Sequence, residues 1–596
     1  MSNTITFNQF AIQKLFENFY QIPDYQREYV WQEGHVTQLI NDIYDSFSSN
    51  PKADYFLGSI VVCKVKEAPH KFEVIDGQQR LITLSLIINN LKRPQHSGAL
   101  HKLLWDETIN SEGKTIQSYK VDIQYEGKNV FYDLCEKEND DEIDLKMIEG
   151  LPGKTIFEAH KTVRFLLEQY FKDDMEQKGR FIGYFLNNVV LIQIETPEIG
   201  NALKIFETIN ERGISLDQVD LLKNLLFRNI SRDEFSKLKT EWNKFKDSLV
   251  GQREKEKPLR FLRYFMMANY EIEKDDKSDK ILREDEIYSW LTSNEKKLNY
   301  QSDTFGLVRR MQEGAEFYMD IIRNRYHNMD NVNLENINNL VGSGFKQHFI
   351  LLLSAKGLKP EQFDHLLVQL ETLLFYYNIT KEAPRDVEKK FSVWTEEIRK
   401  IKNNKNLNEF IASRIRTDVE NRARSFETNF MDLRLSSMQK YKLKYLLAKI
   451  AQYLDSRRMG DESSRSIAAY LKPSIHIEHI LPVDPTTEMV LDFSGENKVE
   501  YNDYMTRLGN LTLLEKPINE SIQRDFFTDK VKEYAKSNIY LTKSIANLES
   551  VGDNTSINRV NEYLQSFSEW GKEAIKRRHE ILLALAKEVW QVRALE

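Results

Sequence analysis

Cysteine is almost missing from this 596-residue chain, which has only Cys63 and Cys135. Two thiols so far apart exclude a disulfide framework and a four-thiolate zinc site, and a reducing cytoplasm is the expected setting. Long apolar runs are missing too: stretches such as Phe349 to Leu353 fall far short of a membrane span, so no membrane partner is expected. Met1 to Phe10 carry neither the basic start nor the apolar core of a signal peptide, so nothing argues for export. Positive charge is not in surplus either. The 84 Lys and Arg are outnumbered by 91 Asp and Glu, for a net charge of −7. A passive DNA-coating protein would be basic, because phosphate neutralisation drives non-specific affinity. A local basic groove stays compatible with that balance. Arg434 to Lys449 is the candidate, with Arg434, Lys440, Lys442, Lys444 and Lys449, although a solvated helix face is the plainer account.

What is present is a soluble, foldable composition, 41% hydrophobic and 29% charged, with room for about two to four domains. The expected class is α+β and predominantly helical. Residues 1–232 read as a mixed α/β domain. Phe56 to Val62 and Phe72 to Ile75 have strand length and composition, and the second ends at the turn signal Asp76-Gly77. A helical apolar pattern follows over Leu81 to Leu91, and Val189 to Ile194 is a further strand candidate. Residues 133–149 are acid-rich and read as an exposed excursion. Residues 233–428 read as helical throughout, Glu361 to Tyr377 having the apolar spacing of a packed helix; a linker or clamp is the expected role. Residues 429–596 change pattern again: a helix over Tyr441 to Leu454, strand-like segments at Ser474 to Leu481 and Leu508 to Leu514, a helix from about Ile518, and a helical tail from Ile557 to Trp590.

The densest chemistry lies at His476-Ile477-Glu478-His479-Ile480-Leu481-Pro482, followed by Leu508-Gly509-Asn510-Leu511-Thr512-Leu513-Leu514 and Asn519. Phosphodiester hydrolysis needs an oxygen-ligated divalent cation, a base that titrates near neutrality, and a group that orients the base. Glu478 and Asn519 supply oxygen ligands, His479 supplies the base, and the side-chain carbonyl of Asn510 is expected to hold the imidazole tautomer. His-Glu-x-x-His and His-x-x-Glu-His zinc-protease patterns do not match. The segment from about 430 to 590 resembles the HNH, or ββα-metal, nucleases in their His-x-Glu-His-x-x-Pro variant, including a tail with Trp570, Ile575 and Arg578. That resemblance implies Mg²⁺ or Mn²⁺ on Glu478 and Asn519, His479 as general base and Asn510 as structural asparagine. His476 is counted with the site as a neighbouring or phosphate-contacting residue.

A second constellation joins Tyr25-Gln26-Arg27, within Ile22 to Trp31, to Asp76-Gly77-Gln78-Gln79-Arg80. The latter sits at a strand-to-helix junction, where unpaired amides, the helix dipole and Arg80 favour a phosphate. Phe206 to Gly213 adds Asn210 and Arg212, followed by Asp220, Leu221, Leu222 and Lys223. A phosphate-loop reading of Gly150-Leu151-Pro152-Gly153-Lys154-Thr155 fails, because its spacing is too short for GxxxxGK[ST]. The three stretches, over about residues 8 to 230, resemble the ParB/sulfiredoxin-like domain that begins GmrSD-type restriction proteins and related phosphorothioate-sensing defence nucleases. By that resemblance Asp76, Gly77, Gln78, Gln79 and Arg80, with Asn210 and Arg212, form a pocket for GTP, ATP or another NTP, with NTPase activity, and Tyr25, Gln26 and Arg27 line the same pocket or sense DNA. The chain as a whole is expected to be an NTP-regulated, metal-dependent endonuclease acting on phage or modified DNA, with a homo-oligomer possible. The alternatives are a nucleotide-switched DNA-binding regulator without cleavage and an HNH-type RNA nuclease or toxin.

Overall fold

The computed structural model describes residues 5–65, 70–92, 97–109, 113–136, 150–172, 174–197, 201–202, 205, 218–251, 256–273, 281–459, 465–522, 524–549 and 556–595. The fold is predominantly helical α+β. Among these residues no helix is long and apolar enough to cross a membrane. The chain packs as two compact units, one formed by Met1–Lys244 with Tyr288–Arg309, the other by Phe245–Ile287 with Arg310–Glu596. Residues 233–428, expected as one domain, are thus shared between them.

The first unit is built on a six-stranded mixed sheet. Its strands are β1 (Thr6–Ala11), β2 (Phe19–Ile22), β3 (Tyr55–Lys64), β4 (Lys71–Asp76), β7 (Val121–Ile123) and β8 (Val189–Thr196), in the order β1-β8-β3-β4-β2-β7; β5 (Trp105–Ile109) and β6 (Thr115–Tyr119) form a separate antiparallel pair. Alternation along β3 explains its run of apolar residues. Ile60 and Val62 join a core with Tyr20, Val74 and Leu84, while Val61 and Cys63 join Ile75, Ile194 and Ala202 in another. A strand buried on both faces needs side chains for two cores. Helices α1 (Glu33–Ser49), α2 (Gln78–Lys92) and α3 (Gly150–Phe171) pack on this sheet's larger core, and α4 (Gln218–Arg228) follows. The Gly150 to Thr155 stretch opens α3 and forms no phosphate loop. Of the acid-rich segment, residues 137–149 lie outside the described residues. Residues 133–136 end a helix, Lys128–Glu136, that buries Leu134 and Cys135, so this part is not the exposed excursion its acidity implied.

In the second unit the helical middle packs around α5 (Pro360–Thr380), whose Phe363, Leu366, Leu370, Leu373 and Leu374 are fully buried. Pro360 sits at its first turn, where no amide bond is lost. Next come α6 (Lys440–Met459), strands β9 (Ile475–His479) and β10 (Leu511–Glu515), and helices α7 (Lys516–Ile522), α8 (Phe527–Tyr534) and α9 (Lys572–Val589). The tail is therefore not one helix: Ser556–Asn561 and α9 flank a non-helical stretch that contains Trp570. The proposed basic groove also dissolves into structure. Arg434 pairs with Asp432 and Asp503. Lys442 donates to Asn378 at 2.7 Å, Lys444 to the Leu471 and Lys472 carbonyls, and Lys449 pairs with Glu371 at 3.0 Å.

Glu371, on α5, is the densest of these ties. Its Oε1 accepts from the Tyr445 hydroxyl at 2.8 Å and from the Trp590 indole at 3.1 Å, and its Oε2 from Lys449. One buried carboxylate therefore joins α5, α6 and the residue after α9. Replacing one member of a buried pair strands the other's charge, which costs about 3–5 kcal/mol. Lys449 keeps some solvent access, so the lower end applies. Glu371→Leu is expected to lower stability by about 3 kcal/mol, and Glu371→Gln, which keeps acceptor capacity at Oε1, by less. Thermal unfolding of the purified variants checks both.

Candidate functional site

The His-x-Glu-His segment and the residues after Gly509 fold as two antiparallel strands and a helix. β9 pairs with β10 with Glu478 opposite Thr512 and His479 opposite Leu511, and α7 packs on both strands. Antiparallel pairing brings the His-x-Glu-His segment beside the residues that follow Gly509-Asn510, although some thirty residues separate them. Strand alternation sends His476 and Glu478 to one side and His479 to the other. Glu478 is buried, and His476 and His479 are half-buried.

Asn510 is fully engaged. Its Oδ1 accepts from the Leu481 amide at 2.7 Å and from the Trp570 indole at 2.9 Å; its Nδ2 donates to the carbonyls of Leu481 and Met505. The Ile480 amide donates to the Asn510 carbonyl at 3.0 Å. This corrects the expected role: the side-chain carbonyl does not orient the imidazole. It clamps the chain just beyond His479, and so positions that residue's backbone. Gly509 is required for the same clamp, because a Cβ there would lie 2.1 Å from the Ile575 carbonyl of α9. From α9 the buried Arg578 donates to the carbonyls of Gly509 and Leu511 at 2.9 and 2.6 Å, and burial lowers its pKa to about 9. Trp570 and Arg578 thus brace the glycine-asparagine turn from the tail.

His479 differs from its neighbours. Its Nε2 is buried with no hydrogen-bond partner. Burial, with Lys530 and Lys440 nearby, lowers its pKa to about 4, so the ring is neutral at physiological pH. A neutral imidazole with a free ring nitrogen can accept a proton, but its pKa of about 4 lies below the near-neutral value expected of the base, which corrects that expectation. On the opposite side Glu478 Oε1 accepts from Lys530 Nζ at 2.7 Å and from the Tyr534 hydroxyl at 3.0 Å. Both donors come from α8, four residues apart on one face. Nothing in their spacing marks them in the sequence, where Lys530 reads as a solvated helical lysine; in the fold its side chain is wholly buried.

Asn519 lies half-buried on α7. Among the described residues no group of three or more His, Cys, Asp or Glu could hold a metal ion. Glu478 and Asn519 would give two oxygen donors. That sparse, hard-oxygen set fits Mg²⁺, which keeps several waters and binds through one or two carboxylates plus substrate phosphate.

The N-terminal motif residues meet in a cavity of about 180 Å³ lined by Tyr25, Gln26, Arg27, Trp31, Asp76, Gly77, Gln78, Gln79, Arg80, Asp220, Lys223 and Asn224. Asn210 and Arg212 lie outside the described residues. Gly77 joins β4 to α2 at φ +97°, and a Cβ there would strike Ile60 at 2.4 Å, so no other residue fits. The first bond of α2 runs from the Leu81 amide to the Gly77 carbonyl, so the amides of Gln78 to Arg80 stand outside the helical ladder. Burial raises the Asp76 carboxyl against the opposing pull of Arg80 and the Gly77 amide.

Several motif side chains serve the pocket's frame. Gln79 accepts from the Val30 and Trp31 amides and donates to the Glu28 carbonyl, pinning the Tyr25 to Trp31 segment over the helix start. Arg80 donates to the Ser59 carbonyl at 2.8 Å. The buried Tyr25 donates to Glu73 and stacks on Phe227. Tyr25 and Gln79 therefore both line the cavity and build its frame. Gln26 is the exception: its Nε2 is buried with no partner. Arg27 sits 3.6 Å from Asp220 and stays well exposed. Asn224, one turn after Asp220 on α4, carried no sequence signal.

The profile of the GmrSD restriction endonuclease N-terminal domain matches residues 8–227, and that of the GmrSD C-terminal domain matches residues 420–585. Together they cover well over half of the chain. An uncharacterized protein of Methanocaldococcus jannaschii is 23% identical over 266 residues, an alignment that covers 39% of this chain and 42% of that protein. The chain thus spans less than half the length of that relative. With both profiles in order on one polypeptide, this chain belongs to the GmrSD family of restriction endonucleases.

Proposed function

We propose that this chain is a Mg²⁺- or Mn²⁺-dependent endonuclease of the HNH type that restricts foreign or modified DNA, such as that of phages, under control of an NTP bound in the N-terminal unit. The observation that carries the nuclease reading is His479: a neutral imidazole whose Nε2 has no partner, at the end of a strand that also bears a buried carboxylate. A buried polar atom left unpaired is costly, and such atoms mark sites where a substrate or water completes the bonding. His479 Nε2 takes the proton of the attacking water. The Asn510 clamp holds the backbone at Leu481, and hence the strand end that carries His479. Glu478 and Asn519 would hold the cation, which when bound stabilises charge on the scissile phosphate and the leaving oxygen. The nucleotide reading rests on the start of α2, whose first amides lie outside the helical ladder, the left-handed Gly77 and the unpaired Gln26 amide around one cavity.

Incubation of phage genomic DNA and plasmid with Mg²⁺, with and without each NTP, is expected to give cleavage whose rate depends on one NTP. Loss of a general base removes roughly 10²- to 10⁴-fold in rate, so His479→Ala is expected to fall by about that factor, and EDTA to abolish the reaction. Cleavage of RNA alone would move the substrate assignment, and His479→Ala cleaving at the wild-type rate would refute the site. For the pocket, Gln26→Leu keeps the side-chain volume while removing the unpaired amide. It is expected to leave the melting temperature unchanged or slightly higher, and to weaken binding of the effective NTP about tenfold by calorimetry, a loss of about 1.4 kcal/mol. Unchanged affinity would place the nucleotide elsewhere.

A further inference from the structure

Lys530 has a wholly buried side chain that bonds both Glu478 and His479 of β9. Its Nζ lies 2.7 Å from Glu478 Oε1 and donates at 2.9 Å to the carbonyl of His479, while its side chain has 0% exposure and that of Glu478 has 7%. Tyr534 adds a second donor to the same oxygen, and Oε2 receives neither bond. An ammonium out of water needs a counter-charge, and a buried carboxylate needs a cation. Each therefore satisfies the other before any metal arrives.

We propose that Lys530 is the resident cation of the nuclease centre: a positioning residue that holds the Glu478 carboxylate and the His479 peptide in register, and that divalent metal must share Glu478 with it. This rests on the reading of Glu478 and His479 as the nuclease site. Two consequences follow, of opposite sign. Lys530 opposes metal binding, because it engages one carboxylate oxygen and places a positive charge beside the ion. It also supports turnover, because the carboxylate and the strand end it fixes set the geometry of the reacting groups, where misplacement by about 1 Å costs about 10²-fold. An outer-sphere donor that merely props a ligand behaves differently; its loss weakens metal binding by about 10- to 100-fold.

The test pairs Mn²⁺ binding, followed by electron paramagnetic resonance of the free ion with the metal alone, with steady-state cleavage of DNA. Lys530→Met is expected to tighten Mn²⁺ binding about tenfold, since a competing cation has gone. The same variant is expected to lose about a hundredfold in kcat with little change in KM. Lys530→Arg, which keeps the charge, is expected to return both toward wild type. Lys530→Gln can still donate to Glu478 and His479 without charge; it is expected to tighten Mn²⁺ as Met does, and serves if the Met variant does not fold. Weaker Mn²⁺ binding in either neutral variant overturns the proposal in favour of a propping role. Unchanged kcat per folded molecule overturns the positioning role. His479→Ala cleaving like wild type would instead refute the nuclease reading itself. The Mn²⁺ measurement decides the lysine's role even if no DNA tried is cleaved.

Discussion

Desolvated charge is the constraint on which the C-terminal unit is organised. Removing a carboxylate from water costs several kcal/mol, which only a well-placed cation and further hydrogen bonds offset. Glu478 meets that demand with Lys530 and Tyr534, and Glu371 with Lys449, Tyr445 and Trp590. In both cases the partners come from other elements of the fold. Apolar packing alone tolerates small slips between helices, whereas a buried ion pair does not, because a slip leaves both charges bare. The first pair sets α8 against β9, and the second sets α5 against α6 and the chain end. Arg578 is met only in part: its Nη1 donates to the carbonyls of Gly509 and Leu511, in the turn that carries Asn510, while its buried Nη2 has no partner.

Strand geometry then separates the two side chains packed into Glu478-His479. A period of two residues puts adjacent side chains on opposite faces. The carboxylate is drawn into the α8 side, where Lys530 and Tyr534 both donate to its Oε1. The imidazole is left on the other side with an unpaired nitrogen and a depressed pKa. Two groups that would neutralise one another if they touched are thereby kept apart by one peptide unit. The cost is that neither face alone specifies the position of that peptide. Lys530 bonding the His479 carbonyl and Asn510 bonding the Leu481 amide supply what strand pairing does not.

Much of this was legible from spacing. Strand β4, the glycine turn and α2 follow from an apolar run, Asp76-Gly77 and a 3.6-residue pattern, each a local property. The nuclease strands follow from short β-branched segments around a Gly-Asn pair. The partners of Asn510 were not legible, because an asparagine's hydrogen bonds depend on which carbonyls the tertiary fold delivers; Trp570 lies sixty residues downstream. Lys530 was invisible for a related reason. A lysine on an amphipathic helix is ordinarily solvated, and only the carboxylate opposite it makes burial tolerable. The tail misread as continuous helix shows a third limit: helical periodicity over Ile557 to Trp590 spans a stretch where Trp570 leaves the helix to reach Asn510.

The N-terminal pocket divides its labour in a way that the motif alone conceals. Asp-Gly-Gln-Gln-Arg invites the assumption that each polar side chain touches a ligand. Yet Gln79 is committed to the backbone of Glu28 to Trp31, Arg80 reaches back to Ser59, and Tyr25 is held by Glu73. Those bonds fasten the Tyr25 to Trp31 segment across the start of α2 and give the cavity fixed walls. A site whose amides and helix dipole recognise an anion gains most from such rigidity, since backbone donors cannot adjust by rotating a side chain. Discrimination among ligands must then come from the few groups left uncommitted by the frame, and Gln26, with a buried amide nitrogen lacking a partner inside that cavity, is the clearest of them.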